Sequence, residues 1–326
     1  MKDITISRRS LLVSAGLLAL APLAGCGGNS GSGSAAAGSD YTIGVLQLTE
    51  HSALDAANDG FVKAIKESGL KVKIDQKNAQ NDQSTCKSIA DKFVGDNVNL
   101  IYAIATPAAQ AAAGATADIP IVGCAITDYA ASGLVQDNDK PGTNVTGASD
   151  LTPVAEQLEM MQKVLPDVKK IGLLYCTAES NSDVQIKAAK KELDKLDLEY
   201  TDFTVSSSNE IQSVVESAVG KVDALYSPTD NTIAAGASQV GQICKENKLP
   251  YVTGEEGMCM AGGLFTLSIN YEDLGCAAGE MAVKILKGEA KPEEMPIKHL
   301  SSKDLVVVKN DEMAEALGID LSALDA

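Results

Sequence analysis

Small hydrogen-bonding side chains and carboxylates recur in this sequence directly after short apolar runs. An acid at such a position can neutralise an ammonium group, and a hydroxyl or amide can hold a carboxylate where a helix begins, because the first N–H groups of a helix attract negative charge. The pattern therefore favours a site for a small zwitterion. The residues concerned are Thr106, Ser180, Asn181 and Ser182, with the acids Asp128, Asp230, Glu255 and Glu256.

Each of these residues also has an ordinary structural explanation. Ser180, Asn181 and Ser182 can simply cap a helix, and Thr106 before Pro107 can do the same. A single acid in a loop is most often solvated. Four acids in one predicted cleft make the binding hypothesis worth stating beside the structural one.

Arginine is confined to Arg8 and Arg9. If the first segment is removed, no arginine remains to clamp a carboxylate or phosphate in the bidentate manner. Any anion would then be held by helix ends, hydroxyls and amides, with lysine as the only cation. The chain also lacks the HExxH, CxxC, GxSxG and GxxxxGK motifs, so we predict no metal and no cofactor.

The composition of the 326 residues sets further limits. There are 44 acidic against 27 basic residues, a formal net charge of −17, which argues against nucleic acid as a partner. Aromatic residues make up only 4%, with no tryptophan, which disfavours a wide sugar-binding groove. The length suggests about two domains.

Short apolar runs alternate with amphipathic stretches from Tyr41 onward. This alternation is typical of parallel sheets whose faces are covered by helices. We predict helices at 52–68, 84–94 and 107–116. The predicted strands between them are Ile43–Leu46, Val72–Ile74, Leu100–Ile104, Ile121–Cys124 and Val145–Gly147.

The same order of elements restarts at Ile171, after a helix predicted from Pro153 to Val164. Further helices are predicted at 182–196, 272–287 and 311–317, and a tail strand at Leu305–Val308. The fold class is thus α/β, with two similar doubly wound parallel-sheet lobes and a cleft between them, although doubly wound sheets in general share this rhythm. Ligands of such sheets bind beyond the carboxyl ends of the strands.

The N-terminus is typical of an export signal followed by a tether. Residues 1–25 combine a basic start, an apolar run and small residues before Cys26. Leu23–Cys26 resembles the lipobox of bacterial lipoproteins, which implies lipidation of Cys26 and an exported, membrane-anchored protein. Residues 26–40 are rich in Gly, Ser and Ala and predict a flexible tether. Ser7–Leu12 resembles a twin-arginine signal, so both export routes stay open.

The body resembles the substrate-binding lipoproteins of bacterial ABC importers with the type I periplasmic-binding fold. Within them it is most similar to a subfamily with members that bind tryptophan or related aromatic amino acids. The matching stretches span most of the chain from Tyr41 to about Gly288. They are Gly44–Gln47, Glu50-His51, Ala53–Asp55, Asn78–Gln80, Asp82-Gln83, Ile104–Gln110, Pro141–Gly147, Asn181-Ser182 and Pro228–Asn231.

This resemblance implies two lobes joined by three crossovers, no catalysis, and a permease and an ATPase as partners. It implies a first lobe of 41–150 plus 272–298 and a second of 151–271 plus 299–326. Two departures near the cleft, Tyr129 after Asp128 and the Cys176-Thr177-Ala178 turn, mean that ligand identity carries over poorly. The residues that match the family's ligand contacts are Gln47, His51, Thr106, Asp128, Asn181, Ser182, Asp230 and Glu256.

We therefore expect a solute-binding protein for a small amino-acid-like ligand. A sugar or nucleoside binder of the same fold is the alternative, with Tyr129 and Tyr226 as stacking candidates. A sensor or adhesin lipoprotein and a secreted enzyme are the other classes considered. The six cysteines after Cys26 fit core positions better than disulfides, with Cys259 the least certain.

Overall fold

The computed structural model describes residues 40–299 and 301–325. The predicted signal peptide, Cys26 and nearly all of the predicted tether lie outside these residues. None of the helices in the described part is both long and apolar enough to cross a membrane.

The elements alternate along the chain as the apolar runs predict. The first part comprises β1 (Tyr41–Gln47), α1 (Ser52–Glu67), β2 (Val72–Asn78), α2 (Gln83–Gly95), β3 (Leu100–Ile104), α3 (Thr106–Ala115), β4 (Ile121–Cys124) and β5 (Val145–Ser149). The second part comprises α4 (Val154–Val164), β6 (Lys170–Cys176), α5 (Ser180–Lys195), β7 (Glu199–Val205), α6 (Ile211–Ala218), β8 (Ala224–Ser227), α7 (Asn231–Ala235), α8 (Ala237–Glu246), β9 (Tyr251–Thr253) and α9 (Glu256–Gly262). The last part comprises β10 (Phe265–Ile269), α10 (Tyr271–Leu286), β11 (Lys298–His299), β12 (Leu305–Lys309) and α11 (Asp311–Leu317).

Two parallel sheets form the two lobes. The first has the strand order β11-β5-β4-β3-β1-β2 and the second β7-β6-β8-β9. Every residue of β3 and β4 is buried, because helices cover both faces of the first sheet. The carboxyl ends of the strands in each sheet therefore share one edge, and the loops that follow them are brought together there.

The chain returns to the first lobe after β10. Leu274, Ala278 and Ala282 of α10 belong to the same apolar cluster as the first sheet. β12 pairs with β10 in an antiparallel ribbon, and Met313 and Ala314 of α11 join the core of the second lobe. The exact lobe boundaries proposed from the resemblance stay a prediction.

Helices α1 and α10 pack at unusually short range. A Cβ atom added to Gly60 would lie 2.0 Å from the Glu272 carbonyl oxygen, and one added to Gly275 would lie 2.0 Å from the Ala57 carbonyl oxygen. Only glycine allows this approach at both positions. The contact fixes the start of α10, and with it Tyr271, relative to the start of α1.

The predicted helices are present, with small shifts at their ends. Pro153 lies just before α4, as its N-cap residue, rather than as its first residue. Helix α5 begins at Ser180, two residues earlier than predicted, so that Glu179 occupies the N-cap position. In this position the Glu179 side chain points into the protein, toward the start of α7.

The cysteines of the described part are free. Five are buried, and Cys276 is half-buried. Burial raises the pKa of the Cys124, Cys244 and Cys259 thiols to about 12, so these groups stay protonated. The burial of Cys124 and Cys244 confirms the prediction that they serve as small core side chains, and Cys259, the least certain of the six, is buried as well.

Candidate functional site

A small, partly closed cavity of about 10 Å³ lies where loops from both lobes meet. Leu54, Ala125 and Ala234 supply apolar or small surface to its wall. Its remaining wall is polar and includes the side chains of His51, Asp150, Asn181, Asp230, Glu255 and Tyr271.

Asp230 lies at the start of α7 and is 1% exposed. Its carboxylate accepts hydrogen bonds from the Ile233 N–H at 2.8 Å, from the Cys176 N–H at 2.6 Å and from the Ser182 hydroxyl at 2.7 Å. Burial, together with the nearby Glu179 carboxylate, raises the pKa of Asp230 despite these bonds. The residue thus caps α7 and also places a carboxyl group at the cavity.

Glu179 is a second carboxylate at the start of α7, and sequence reasoning missed it. Its Oε1 accepts from the Thr232 N–H and hydroxyl, both at 2.8 Å. Its Oε2 accepts from the Asn231 N–H at 3.1 Å and from the Asn231 side-chain amide at 2.6 Å. The positive end of α7 is therefore already satisfied from within the protein.

Glu255 caps α9 in the same manner. Its oxygens accept from the Gly257 N–H at 2.5 Å and the Met258 N–H at 2.6 Å. Burial raises the pKa of Glu255 to about 7, because the group is only 2% exposed. The next residue, Glu256, is exposed and does not line the cavity. The prediction of Glu256 as the inward acid therefore needs correction by one position.

Asp150 is the first residue after β5, where the chain leaves the first sheet. The Tyr271 hydroxyl donates to its Oδ2 at 3.1 Å, and the Thr127 hydroxyl donates to its Oδ1 at 3.4 Å. Burial raises the pKa of Asp150 to about 6. An acid directly after a buried strand was the available signal for this residue, since that position falls at the binding edge of the sheet.

Two buried atoms at the cavity have no hydrogen-bond partner among the described residues, Nδ1 of His51 and Oδ1 of Asn181. The Asn181 amide donates to the Thr229 carbonyl and to Glu179, each at 3.2 Å, which identifies Oδ1 as its free end. We infer the His51 tautomer in the same way. Its Nε2 lies 3.4 Å from Oδ1 of Asn231, an acceptor, so Nε2 carries the proton.

His51 is neutral in this setting, because burial lowers the pKa of its imidazole. Its Nδ1 is then a bare acceptor, as is Oδ1 of Asn181. Both free polar atoms are hydrogen-bond acceptors, and the carboxylates beside them are acceptors too. No lysine or arginine is among the described residues that line the cavity. The site thus has a deficit of donors and of positive charge.

Two helices of the first lobe begin at this edge without a side-chain cap. They are α1, after His51, and α3, after Ala105. Ala105 has a φ of +82°, a conformation that is strained for a residue other than glycine. Thr106 follows it, fully buried, and its Oγ1 has no partner in the described part of the chain.

The structure brings only some of the predicted contact residues to the cavity. His51, Asn181 and Asp230 line it, and Ser182 supports Asp230 from behind. Thr106 is buried at the start of α3 but does not line the cavity.

Gln47 and Asp128 are engaged elsewhere. The Gln47 amide donates to Oδ1 of Asp55 at 2.6 Å and to the Thr49 carbonyl at 2.8 Å, which holds the loop before α1. Asp128 accepts from the Ala131 N–H and the Asn138 amide, both at 3.0 Å. Partial burial opposes ionisation of Asp128, but these hydrogen bonds lower its pKa overall. Both residues therefore shape loops in this structure.

The stacking candidates Tyr129 and Tyr226 are fully buried in the lobes and do not line the cavity. The Tyr129 hydroxyl donates to the Ala148 carbonyl at 3.0 Å, and the Tyr226 hydroxyl donates to Oε1 of Gln157 at 2.7 Å. The expectation that they could stack on a ligand was wrong, because both side chains are needed in the cores.

The lobes touch across the cleft through direct hydrogen bonds. The Asn81 amide donates to the Thr232 hydroxyl at 3.0 Å, and the Gln185 amide donates to the Thr127 hydroxyl at 3.3 Å. Such contacts between the two sheets' loops describe a closed arrangement.

Known proteins resemble this chain over most of its length. The family model for ABC transporter substrate binding proteins matches residues 42–323. A protein named "Tyrosine-binding protein" from Clostridioides difficile (strain R20291) is 40% identical over 97% of this chain and 93% of its own length.

Two solved structures are informative about conformation. The ABC domain from Streptococcus pneumoniae in complex with L-Trp has a TM-score of 0.84 at 40% identity, covering 88% of this chain and 98% of that one. A ligand-free, open substrate-binding protein with adhesive properties from Clostridium difficile has a TM-score of only 0.66 at 45% identity, covering 86% and 95%.

The L-Trp complex is less identical in sequence than the ligand-free, open structure, yet it superposes better on this chain. This agrees with the closed lobes described above. The family model matches nearly the whole body, and the two-lobe α/β fold with a cavity between the lobes agrees with it. This chain therefore belongs to the family of ABC transporter substrate-binding proteins.

Proposed function

We propose that this protein captures an aromatic amino acid between its lobes and delivers it to the permease of its transporter. The observation that carries the proposal is the cavity of acceptors without donors: Nδ1 of His51 and Oδ1 of Asn181 beside the carboxyl groups of Asp150, Asp230 and Glu255. A ligand ammonium supplies three donors and the missing positive charge.

The opposite pole of the ligand, its carboxylate, requires helix ends that are not already capped. At the second-lobe edge, α7 and α9 have carboxylate caps of their own. Helices α1 and α5 begin beside the cavity residues His51 and Asn181 and have no side-chain cap. A carboxylate near either helix start would gain about 0.3–1 kcal/mol from the helix end, more if buried. The site thus offers acceptors for an ammonium group and uncapped helix ends for a carboxylate.

An aromatic side chain is supported by the relatives, since one is named for tyrosine and another holds L-Trp. The closed lobes leave only about 10 Å³ of free volume between them, so the ligand would enter while the lobes are apart. Leu54 and the small residues Ala125 and Ala234 would receive its ring. Sugar binding is less favoured, because Tyr271 is the one aromatic residue in the described lining.

Isothermal titration calorimetry on the purified body, with a thermal-shift screen of amino acids, sugars and nucleosides, tests the proposal. We expect L-tyrosine or L-tryptophan to bind at micromolar concentration or below. At a hundredfold excess over Kd, the ligand would stabilise the fold by about 2.7 kcal/mol. The deaminated analogue 3-(4-hydroxyphenyl)propanoate is the matched control and should bind weakly. Stabilisation by a sugar or nucleoside, and by no amino acid, would overturn the proposal.

The protein acts outside the cytoplasm, as its family does, together with a permease and an ATPase. We further infer that Cys26 carries the lipid that anchors it, which the residues around Cys26 support. A Cys26→Ser variant should move from the membrane fraction to the soluble exported fraction. Mass spectrometry of the wild-type N-terminal peptide should reveal a diacylglyceryl adduct, and an unmodified thiol there would contradict the inference.

We also infer that the ligand leaves unchanged, since the family binds and transfers solutes. Chromatography of L-tyrosine after prolonged incubation with the protein should recover it intact, whereas a new product would indicate an enzyme.

A further inference from the structure

We propose that Asp150 converts the presence of a ligand ammonium into closure of the lobes, through a hydrogen-bond chain that runs from Tyr271 through Asp150 and Thr127 to Gln185. The proposal rests on the proposed function in one respect, namely that the ligand carries an ammonium group.

Asp150 lies both at the cavity and at the start of a connection between the lobes. It is 5% exposed, it lines the cavity, and it begins the segment in which the chain passes from the first sheet to the second. Tyr271, whose hydroxyl donates to it at 3.1 Å, begins α10, in which the chain passes back. One hydrogen bond therefore joins two of the connections between the lobes.

The other carboxylate oxygen of Asp150 is connected to the second lobe through hydrogen bonds. The Thr127 hydroxyl donates to it at 3.4 Å, and the Gln185 amide, in the second lobe, donates to the Thr127 oxygen at 3.3 Å. Gln185 is fully buried and also donates to the Thr229 hydroxyl at 2.7 Å. Thr229 lines the cavity, so both ends of the chain reach the ligand site.

The direction of these hydrogen bonds depends on the charge of Asp150. The Thr127 hydroxyl has one proton, and because its oxygen already accepts from Gln185, that proton is available for Asp150. An ionised carboxylate accepts from both Thr127 and Tyr271. A protonated carboxyl donates from one oxygen and still accepts at the other, so ionisation of Asp150 strengthens both hydrogen bonds by making them charge-assisted.

Nothing in the described surroundings supplies the matching positive charge. The titratable groups that face Asp150 or share its cavity are Tyr271 on α10, Glu255 before α9, Cys124 at the end of β4, Tyr129 in the loop after it, Asp230 and the neutral imidazole of His51. None of them is a cation. Closure of the empty protein therefore buries a carboxylate without compensation, which is costly. A ligand ammonium group beside the Asp150 carboxylate removes that cost, so the lobes close when the ligand is bound.

Thr127 is the residue that separates this role from simple ligand contact. It is 1% exposed and does not line the cavity, so it can affect the ligand only through the chain. Asp128, the next residue, is a carboxylate that also lies off the cavity and closes its own loop, and it serves as the matched control.

The experiment measures lobe separation by small-angle scattering and ligand affinity by calorimetry for wild type, D150N, T127V and D128N. We expect empty D150N to be more closed than empty wild type, because its side chain is neutral. We expect it to bind L-tyrosine or L-tryptophan about 10- to 100-fold more weakly, as for the loss of a hydrogen bond to a charged group. T127V should bind about 3- to 10-fold more weakly, because it removes the hydroxyl that bridges Asp150 and Gln185, and D128N should match wild type.

The empty-protein measurement decides the inference even without a known ligand. If empty D150N is as open as wild type, or if T127V binds as tightly as wild type, the chain does not control closure and the proposal fails. If wild type binds no amino acid but empty D150N closes as expected, the proposed function fails while the role of Asp150 in closure stands. If D150N only loses thermal stability, with unchanged lobe separation, Asp150 has a structural role alone.

Discussion

Glu255 and Glu256 are neighbours in sequence but face different surroundings. Glu255 is 2% exposed, caps α9 and lines the cavity, whereas Glu256 is exposed at the first residue of that helix. The N-cap residue of a helix turns its side chain toward the helix start, and the residue after it projects away.

This difference predicts opposite outcomes for two equivalent substitutions. Glu255→Gln removes the buried charge while leaving an oxygen for capping, so ligand affinity should fall about 10- to 100-fold, within the range for hydrogen bonds to charged groups. Glu256→Gln should leave affinity unchanged. Calorimetry with the amino acid that binds wild type measures both. Equal effects of the two substitutions would contradict the placement of the site.

Asp230→Ala should reduce both binding and stability. The carboxylate lies at the cavity and also caps α7, so its loss should cost about 1–2 kcal/mol of unfolding free energy in the cap alone. Ser182→Ala removes only one hydrogen bond to Asp230 and should cost about 1 kcal/mol or less. Urea unfolding and calorimetry on both variants separate the two effects. Unchanged affinity in Asp230→Ala would exclude Asp230 from ligand binding.

The effect of pH on the stability of the empty protein should be opposite in sign to its effect on ligand affinity. Burial raises the pKa of Asp150 to about 6 and that of Glu255 to about 7. These groups hold protons in the folded protein at a pH where the unfolded chain has lost them. The closed empty protein should therefore gain stability as the pH falls from about 7 toward about 4, with respect to these groups.

A bound ammonium lowers the same pKa values, so ligand binding releases protons and tightens as the pH rises. The increase in melting temperature on adding ligand should be larger near pH 7.5 than near pH 5.5. Calorimetry in buffers of different ionisation enthalpy should detect the released protons directly. An affinity that is flat across this range would indicate that neither carboxyl group faces the ammonium.

The contact between α1 and α10 predicts a stability effect that is separate from binding chemistry. Gly275→Ala places a methyl group 2.0 Å from the Ala57 carbonyl oxygen and should cost about 1–3 kcal/mol as the helices separate. It should also weaken binding, because Tyr271 moves with α10. Gly114→Ala, in α3, meets no atom within 4 Å and should stabilise the protein by about 0.4–1 kcal/mol. Denaturant unfolding compares the pair, and equal stability would contradict the tight packing.

The periodicity of the sequence was sufficient to predict two α/β lobes and the spans of most helices. Apolar runs such as Leu100–Ile104 must be buried on both faces, and the loops after parallel strands must meet at one edge. The region of the site followed from that rule, and His51, Asn181 and Asp230 were among the residues identified there. The absence of arginine after Arg9 likewise follows from the sequence alone.

Tertiary structure decided which polar residue of each loop turns inward. The start of a helix, which sequence patterns locate only to within a residue or two, determined that Glu179 and Glu255 cap α7 and α9 while Glu256 is exposed. Asp150 and Tyr271 are 121 positions apart, and only the return of the chain through α10 brings their side chains within hydrogen-bond distance. Local periodicity in the sequence indicates which residues are buried. The hydrogen-bond partner of a buried carboxyl group, in contrast, is determined by contacts between residues that are distant in sequence.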